Sequence, residues 1–129
     1  MNMRKLLPLF LSALMFTGCA ASQKQENTYR RISMEEAVQM MQNERGYIIL
    51  DVRRPDEYAA GHIPGAINVA NETIGTAEIP ELPNKDQLIL VYCRSGRRSK
   101  EASEKLVKLG YTNIVEFGGI LDWKGEIEA

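Results

Sequence analysis

One stretch of the chain decides the fold: Gln87-Leu-Ile-Leu-Val-Tyr92, then Cys93-Arg-Ser-Gly-Arg-Arg98, then the run from Ser99 to Leu109. The first part is apolar without polar alternation, which is typical of a strand covered on both faces in a parallel sheet. In the last part, apolar residues recur at helical spacing among charged ones, and Gly110 follows as a stop signal. The stretch therefore predicts a buried strand, a tight turn and an amphipathic helix.

The same alternation of strands and helices continues on both sides of this stretch. Further strands are predicted at Tyr29–Ile32, Tyr47–Val52 and Ile114–Phe117. Ser33 and Glu36 form a capping box, which predicts a helix that ends between Asn43 and Gly46. This order of elements indicates an α/β layer fold with a mostly parallel sheet.

The composition fits one globular domain and excludes several classes of function. The chain has 129 residues, with 16 Lys and Arg against 17 Asp and Glu. A net charge of −1 gives no global basic field of the kind that nucleic acid attracts. Two cysteines and one histidine are too few for a zinc site or for a disulfide scaffold. We therefore expect neither a metal nor a nucleic-acid partner.

Residues 1–18 are predicted to be a lipoprotein signal peptide. Arg4 and Lys5 precede an apolar run at 6–16 that is too short to span a bilayer. Thr17 and Gly18 stand directly before Cys19, and this pattern resembles the lipobox of bacterial lipoproteins, in which the cysteine carries the lipid. An ordinary signal peptide with a chance cysteine is the alternative. We expect a flexible tether at 19–28, a domain at 29–129, and a lipid-anchored protein outside the cytoplasm on a bacterial membrane.

The predicted turn after the central strand carries the candidate chemistry. Ligands of open α/β sheets bind at the carboxyl ends of strands, where Cys93 lies. A helix N-terminus favours a thiolate, and Gly96 lets successive N–H groups of the loop point inward. Four cations follow Cys93 before the first acid, Glu101: Arg94, Arg97, Arg98 and Lys100. A reactive thiolate that receives an anionic substrate is predicted, and a structural cysteine beside solvated arginines is the alternative.

Three motifs in order resemble those of the rhodanese-domain family: Asp51–Asn68, Cys93–Ser99 and Gly118–Trp123. The resemblance covers nearly all of 29–126. It implies a three-layer rhodanese-like fold, with a five-stranded, mainly parallel sheet and helices on both faces. It also implies a sulfurtransferase that needs no cofactor, in which Cys93 takes sulfur from thiosulfate or a persulfide and passes it to a thiol or cyanide.

The resemblance implies that residues 94–98 bind the substrate: Arg94, Ser95, Gly96, Arg97 and Arg98. A sulfur-carrier or redox-sensing module with a redox protein partner is the alternative function. Cysteine-dependent phosphatases are less favoured, because their loop places five residues between cysteine and arginine, whereas four separate Cys93 from Arg98.

Other motif residues are predicted to support the site rather than to react. Asp51 is expected to orient the loop by accepting its N–H groups, and Arg53 is expected to form an internal ion pair with Glu57. His62 invites a Cys–His hydrolase interpretation, but we expect it to be structural within its turn. Large aromatic residues are usually core, and Tyr58 and Trp123 are predicted to be so.

Overall fold

The computed structural model describes residues 28–129, which contain a five-stranded sheet in the order β1-β5-β4-β2-β3. All four strand pairings are parallel. The strands are β1 (Arg30–Arg31), β2 (Ile48–Asp51), β3 (Ile67–Asn68), β4 (Ile89–Cys93) and β5 (Ile114–Gly119). The helices are α1 (Met34–Asn43), α2 (Pro55–Ala60) and α3 (Arg97–Lys108), with 3₁₀ turns at Asn71–Thr73 and Ile120–Asp122. The predicted α/β class and five-stranded parallel sheet are confirmed.

Alternation along the central strand β4 builds the two hydrophobic layers of the fold. Ile89 and Val91 lie in the cluster that contains Leu106 of α3. Leu90 lies in the opposite cluster, which contains Ala37 of α1. Because successive strand residues point to opposite faces, both faces of β4 are covered by helices. All five β4 residues are consequently buried.

Local sequence signals explain where α1 and α3 begin. Ser33 Oγ accepts the Glu36 N–H at 3.0 Å, and the Glu36 carboxylate accepts the Ser33 N–H at 2.9 Å. The predicted capping box is therefore formed. Helix α3 begins at Arg97, two residues before the predicted start, because Gly96 serves as its N-cap with a φ of +115°. The earlier start places Arg97 and Arg98 in the first turn of the helix.

The predicted signal peptide, Cys19 and the tether lie outside the described residues, apart from Thr28. Within 28–129, no helix has the length and apolar character needed to cross a membrane.

Candidate active site

Cys93 is the last residue of β4, and its side chain lies at the floor of the turn that leads into α3. The residue is 1% exposed. It lies between β5 on one side and β2 on the other. The parallel sheet therefore delivers the thiol to the edge at which ligands of such sheets bind.

Two of the described residues form hydrogen bonds with the sulfur. The Gly96 N–H donates to Cys93 Sγ at 3.0 Å, which favours negative charge on the sulfur. The Cys93 thiol donates to Ser99 Oγ at 3.5 Å. The sulfur is thus bound from the loop on one side and from the first turn of α3 on the other.

Glycine is required at two points of this turn. Gly96 adopts a positive φ of +115°, which strains any residue that carries a Cβ. At Gly119 a Cβ would lie 2.1 Å from the carbonyl oxygen of Arg94, so the end of β5 supports the loop by direct backbone contact. The Leu121 N–H donates to that same oxygen at 3.2 Å.

The turn that binds the sulfur contains free backbone donors, which together are called the cradle. Within the part of the chain that the structure describes, the N–H groups of Ser95, Arg97 and Arg98 donate to no protein acceptor. The first N–H groups of a helix lack intrahelical partners and carry positive potential. This cradle therefore suits an anionic or electron-rich atom attached to Sγ.

A cavity of about 370 Å³ opens over the cradle and is lined by four arginines and one acid. Its lining residues are Arg54, Glu72, Arg94, Ser95, Arg97 and Arg98. A slightly larger cavity of about 420 Å³ lies between α1 and the segment around Trp123, and no residue of the turn 94–98 lines it. We assign the candidate site to the polar cavity because the turn that contributes most of its lining also binds the Cys93 sulfur.

The three arginines of the turn differ in whether an acidic side chain already pairs with their guanidinium group. Arg98 forms a two-pronged ion pair with Glu57, with its closest N–O distance at 2.7 Å. Arg97 Nη1 lies 3.0 Å from Glu101 at the surface. Arg94 is exposed and forms no salt bridge with any described residue. Arg94 is therefore the guanidinium that is free to meet an incoming oxyanion.

The Arg98–Glu57 pair also sets the charge of the carboxylate. Hydrogen bonding from Arg98 lowers the pKa of Glu57 to about 2, with smaller help from the Arg54 N–H, while partial burial opposes the change. The same bond raises the pKa of Arg98. Glu57 is ionised at any physiological pH, and it offsets one positive charge at the rim of the cavity.

Two predictions about the supporting residues were wrong. Arg53 does not pair with Glu57: its Nη2 lies 2.7 Å from Asp51 Oδ2, because the two side chains leave the same strand end two residues apart. Asp51 does not accept N–H groups of residues 94–98. Its carboxylate accepts the Arg53 N–H and the Tyr92 hydroxyl, at 2.9 and 2.6 Å. Asp51 and Arg53 thus fix the neighbouring loop and the back of β4, whereas Glu57 binds Arg98, which lines the cavity.

The histidine and the aromatic residues of the motifs have structural contacts. His62 is 7% exposed and stacks on Tyr58 with ring centroids 3.8 Å apart. Its Nδ1 lies 2.9 Å from the Tyr58 carbonyl and its Nε2 lies 3.5 Å from Glu128. Trp123 packs against the α1-side core and donates its indole N–H to the Glu126 carbonyl. None of the hydrogen bonds of His62 reaches Cys93.

Sequence reasoning missed Arg54 and Glu72 of the cavity lining, and it also missed Glu116. Glu116 is 2% exposed within β5, and its Oε2 accepts the Ser99 hydroxyl at 2.6 Å and the Gly118 N–H at 2.9 Å. Ser99 was part of the quoted motif but was given no role. An acid in the middle of the apolar run Ile114–Phe117 was the available signal.

The comparisons with known proteins agree with this geometry. The family model described as "Rhodanese-like domain" matches residues 33–126. The chain is 37% identical over 73 residues to the thiosulfate sulfurtransferase PspE of Escherichia coli K12, which covers 57% of this chain and 70% of that protein. It is 32% identical over 114 residues to the putative sulfur carrier protein YrkF of Bacillus subtilis 168, covering 86% of this chain and 60% of that protein.

A solved structure described as a rhodanese with anions from E. coli is also similar. Its TM-score is 0.58 at 33% identity, and the match covers 64% of this chain and 96% of that one. The chain belongs to the rhodanese-like domain family.

Proposed function

We propose that this protein is a sulfurtransferase that moves a sulfane sulfur from thiosulfate or a persulfide donor to a thiophilic acceptor through a persulfide on Cys93. One observation carries the proposal: Sγ is bound by the Gly96 N–H within a turn that has free N–H groups and whose arginines line a cavity. The names of the relatives support the same reaction class, since they include a thiosulfate sulfurtransferase and a putative sulfur carrier.

The reaction takes place in two displacements at sulfur. The Cys93 thiolate attacks the outer sulfur of thiosulfate; a new S–S bond forms, the old one breaks, and sulfite leaves with the electron pair. An acceptor thiolate or cyanide then attacks the terminal sulfur of the persulfide, and Cys93 leaves as a thiolate. Both half-reactions place charge on the terminal sulfur, and the free N–H groups of Ser95, Arg97 and Arg98 are the donors in this turn that would stabilise it. The chemistry requires no metal or organic cofactor.

In this proposal, the exposed guanidinium of Arg94 makes the protein prefer anionic sulfur donors. An anionic donor such as thiosulfate gains a charge-assisted contact with Arg94, whereas a neutral donor does not. Arg98 contributes less attraction, because Glu57 already compensates its charge.

A second candidate function is a sulfur carrier or redox sensor that acts with a protein partner and has little free turnover. The 1% exposure of Cys93 favours it, since a nearly covered sulfur is screened from small molecules until a partner opens the turn. Turnover separates the two functions. An enzyme releases sulfite repeatedly when thiosulfate and cyanide are both present, whereas a carrier releases about one equivalent.

The decisive experiment is intact-mass analysis after incubation with thiosulfate. We expect one added sulfur on the wild type and none on Cys93→Ser, because a hydroxyl is not ionised near neutral pH and cannot form a persulfide. Cys19→Ser is the matched control and should still take up the sulfur. Uptake that survives in Cys93→Ser, or release of phosphate from an aryl phosphate by the wild type, contradicts the proposal.

We also propose that the domain is held to a bacterial membrane, outside the cytoplasm, by a lipid on Cys19. The apolar run at 6–16 and the small residues before Cys19 support this proposal. Stable anchoring requires two or more acyl chains, because a single chain binds only marginally.

A further inference from the structure

Glu116 is a buried acid within an otherwise apolar strand. A buried carboxylate is costly unless its oxygens are hydrogen-bonded or paired. Here Oε2 accepts the Ser99 hydroxyl at 2.6 Å and the Gly118 N–H at 2.9 Å, and Oε1 lies 3.5 Å from Arg31 Nε. Arg31 is 61% exposed and therefore compensates the charge only partly. An apolar side chain would fill the same place without this cost, so we expect the buried carboxylate to have a function.

The hydroxyl of Ser99 connects this charge to the nucleophile. A serine hydroxyl has one proton to donate. Three oxygens compete for that proton: Glu116 Oε2 at 2.6 Å, the Gly96 carbonyl at 3.0 Å and the Gly118 carbonyl at 3.4 Å. The carboxylate wins, since its bond is the shortest and is charge-assisted. The lone pairs of Ser99 Oγ then face Cys93 Sγ, 3.5 Å away.

We propose that Glu116 is a positioning residue for Cys93: its carboxylate takes the hydroxyl proton of Ser99, so that Ser99 accepts the thiol proton and does not stabilise the thiolate. The inference rests on the proposed function for its purpose in sulfur transfer. Its physical content, a buried charge that acts on Cys93 through the Ser99 hydroxyl, is independent of the substrate.

The charges around Cys93 set the size of the effect. Two contacts of 3.5 and 2.6 Å place Glu116 Oε2 at most about 6 Å from Sγ. An unpaired charge at that distance shifts the midpoint of a thiol's titration by about two pH units at an effective dielectric constant of about 20. Arg31 offsets part of this charge. Arg98 also faces the sulfur, and Tyr29 lies near Glu116 without a charge at neutral pH. We therefore expect a net displacement of about one unit.

A more basic thiolate is also a stronger nucleophile. The rate constant of a thiolate rises with its basicity, with a coefficient of about 0.4–0.5. A tenfold increase in basicity therefore gives about a threefold faster attack by the thiolate itself. Glu116 thus makes the sulfur less often ionised but more reactive when it is ionised.

Glu116→Gln tests the inference because it removes the charge and keeps the shape. The amide oxygen can still accept from Ser99 and Gly118. The ultraviolet absorbance of the thiolate is followed against pH in the full chain, with the spectrum of the matching Cys93→Ser protein subtracted. We expect the midpoint of this absorbance titration to be about one pH unit lower in Glu116→Gln than in the wild type. The rate of alkylation by iodoacetamide, in which the thiolate forms a C–S bond and expels iodide, should fall about threefold on its high-pH plateau.

Two exposed neighbours on β1 provide matched variants that do not disturb the core. Arg31→Gln removes the partner of Glu116 and should raise the midpoint, more at low salt than at high salt. Arg30→Gln removes an adjacent charge and should leave the midpoint unchanged.

A folded Glu116→Gln protein whose midpoint stays or rises overturns the inference. If Glu116→Gln does not fold, equal midpoints for Arg31→Gln and Arg30→Gln overturn it instead. The titration needs no sulfur donor, so the two proposals fail separately. A midpoint that shifts as expected in a protein that takes no sulfur from thiosulfate refutes the sulfurtransferase and leaves the role of Glu116 intact.

Discussion

Replacing Glu57 by Gln should destabilise the domain by an amount that depends on pH. The side chain is 17% exposed, and its carboxylate is bonded to Arg98 at 2.7 Å. Its pKa falls from 4.5 to about 2, chiefly through that bond. A change of this size corresponds to about 3 kcal/mol of stability when the group is ionised in both the folded and unfolded states. Gln resembles the protonated acid and forfeits this contribution.

The direction of the pH dependence follows from the lowered pKa. The contribution is fully present above the unfolded pKa of 4.5 and is lost as the pH falls towards about 2. In that window the unfolded chain takes up a proton at Glu57 and the folded chain does not. Urea unfolding at a series of pH values should therefore give the free energy of unfolding of the wild type and of Glu57→Gln as two curves against pH. The curves should lie about 3 kcal/mol apart near neutrality and converge in acid.

Asp56→Asn is the control for this experiment. Asp56 lies in the same turn of α2 and pairs with Arg54, but both side chains are more than half exposed. Its loss should change stability little at any pH. A Glu57→Gln curve that runs parallel to the wild type from neutral to acid, or that matches the Asp56→Asn curve, would refute the assignment of the low pKa to the Arg98 bond.

Three further outcomes are expected. Arg94→Ala should raise the apparent KM for thiosulfate more than that for a neutral persulfide donor, and the difference should shrink with added salt; equal changes for both donors would contradict the role of Arg94. Gly119→Ala should lower the free energy of unfolding by at least about 1–3 kcal/mol and abolish sulfur uptake, because its Cβ would lie 2.1 Å from the Arg94 oxygen. Gly75→Ala is the control, since its Cβ would meet nothing within 4 Å. It should change neither the thermal melt nor the added sulfur mass. Cys19→Ala should move the protein from the membrane to the soluble fraction; unchanged fractionation and unchanged mass of the processed chain would exclude the lipid.

The elements with long apolar patterns were predictable from the sequence. Strand β4 and helix α3 carry enough periodic residues to identify their type, and the capping box of α1 marks its first turn. Helix α2 has six residues and β3 has two, so both are shorter than the windows of about 11–18 and 4–8 residues in which helix and strand periodicity are recognised. Their places were implied by the family resemblance and not by periodicity.

The position of Cys93 in the fold could be predicted, but the ion pairs around it could not. Cys93 is marked by its position between a strand and a helix, which is local information. Arg98 and Glu57 are separated by 41 positions, and nothing local distinguishes Glu57 from the other acids as the partner. Asp51 and Glu57 both lie close to Arg53 in the sequence, and Arg53 pairs with Asp51 because that residue stands at the same strand end. Glu116 was overlooked because two of its partners, Ser99 and Arg31, come from other elements of the fold.

The contact between Gly119 and the Arg94 carbonyl has a consequence for the order of assembly during synthesis. Strand β4 lies between β2, which leaves the ribosome before it, and β5, which leaves after it. Until residues 114–121 have emerged, β4 is an edge strand, and the backbone around the cysteine lacks the support on which its conformation depends. The nascent chain therefore carries Cys93 without its surrounding turn, and the candidate site is completed only when its C-terminal part is in place.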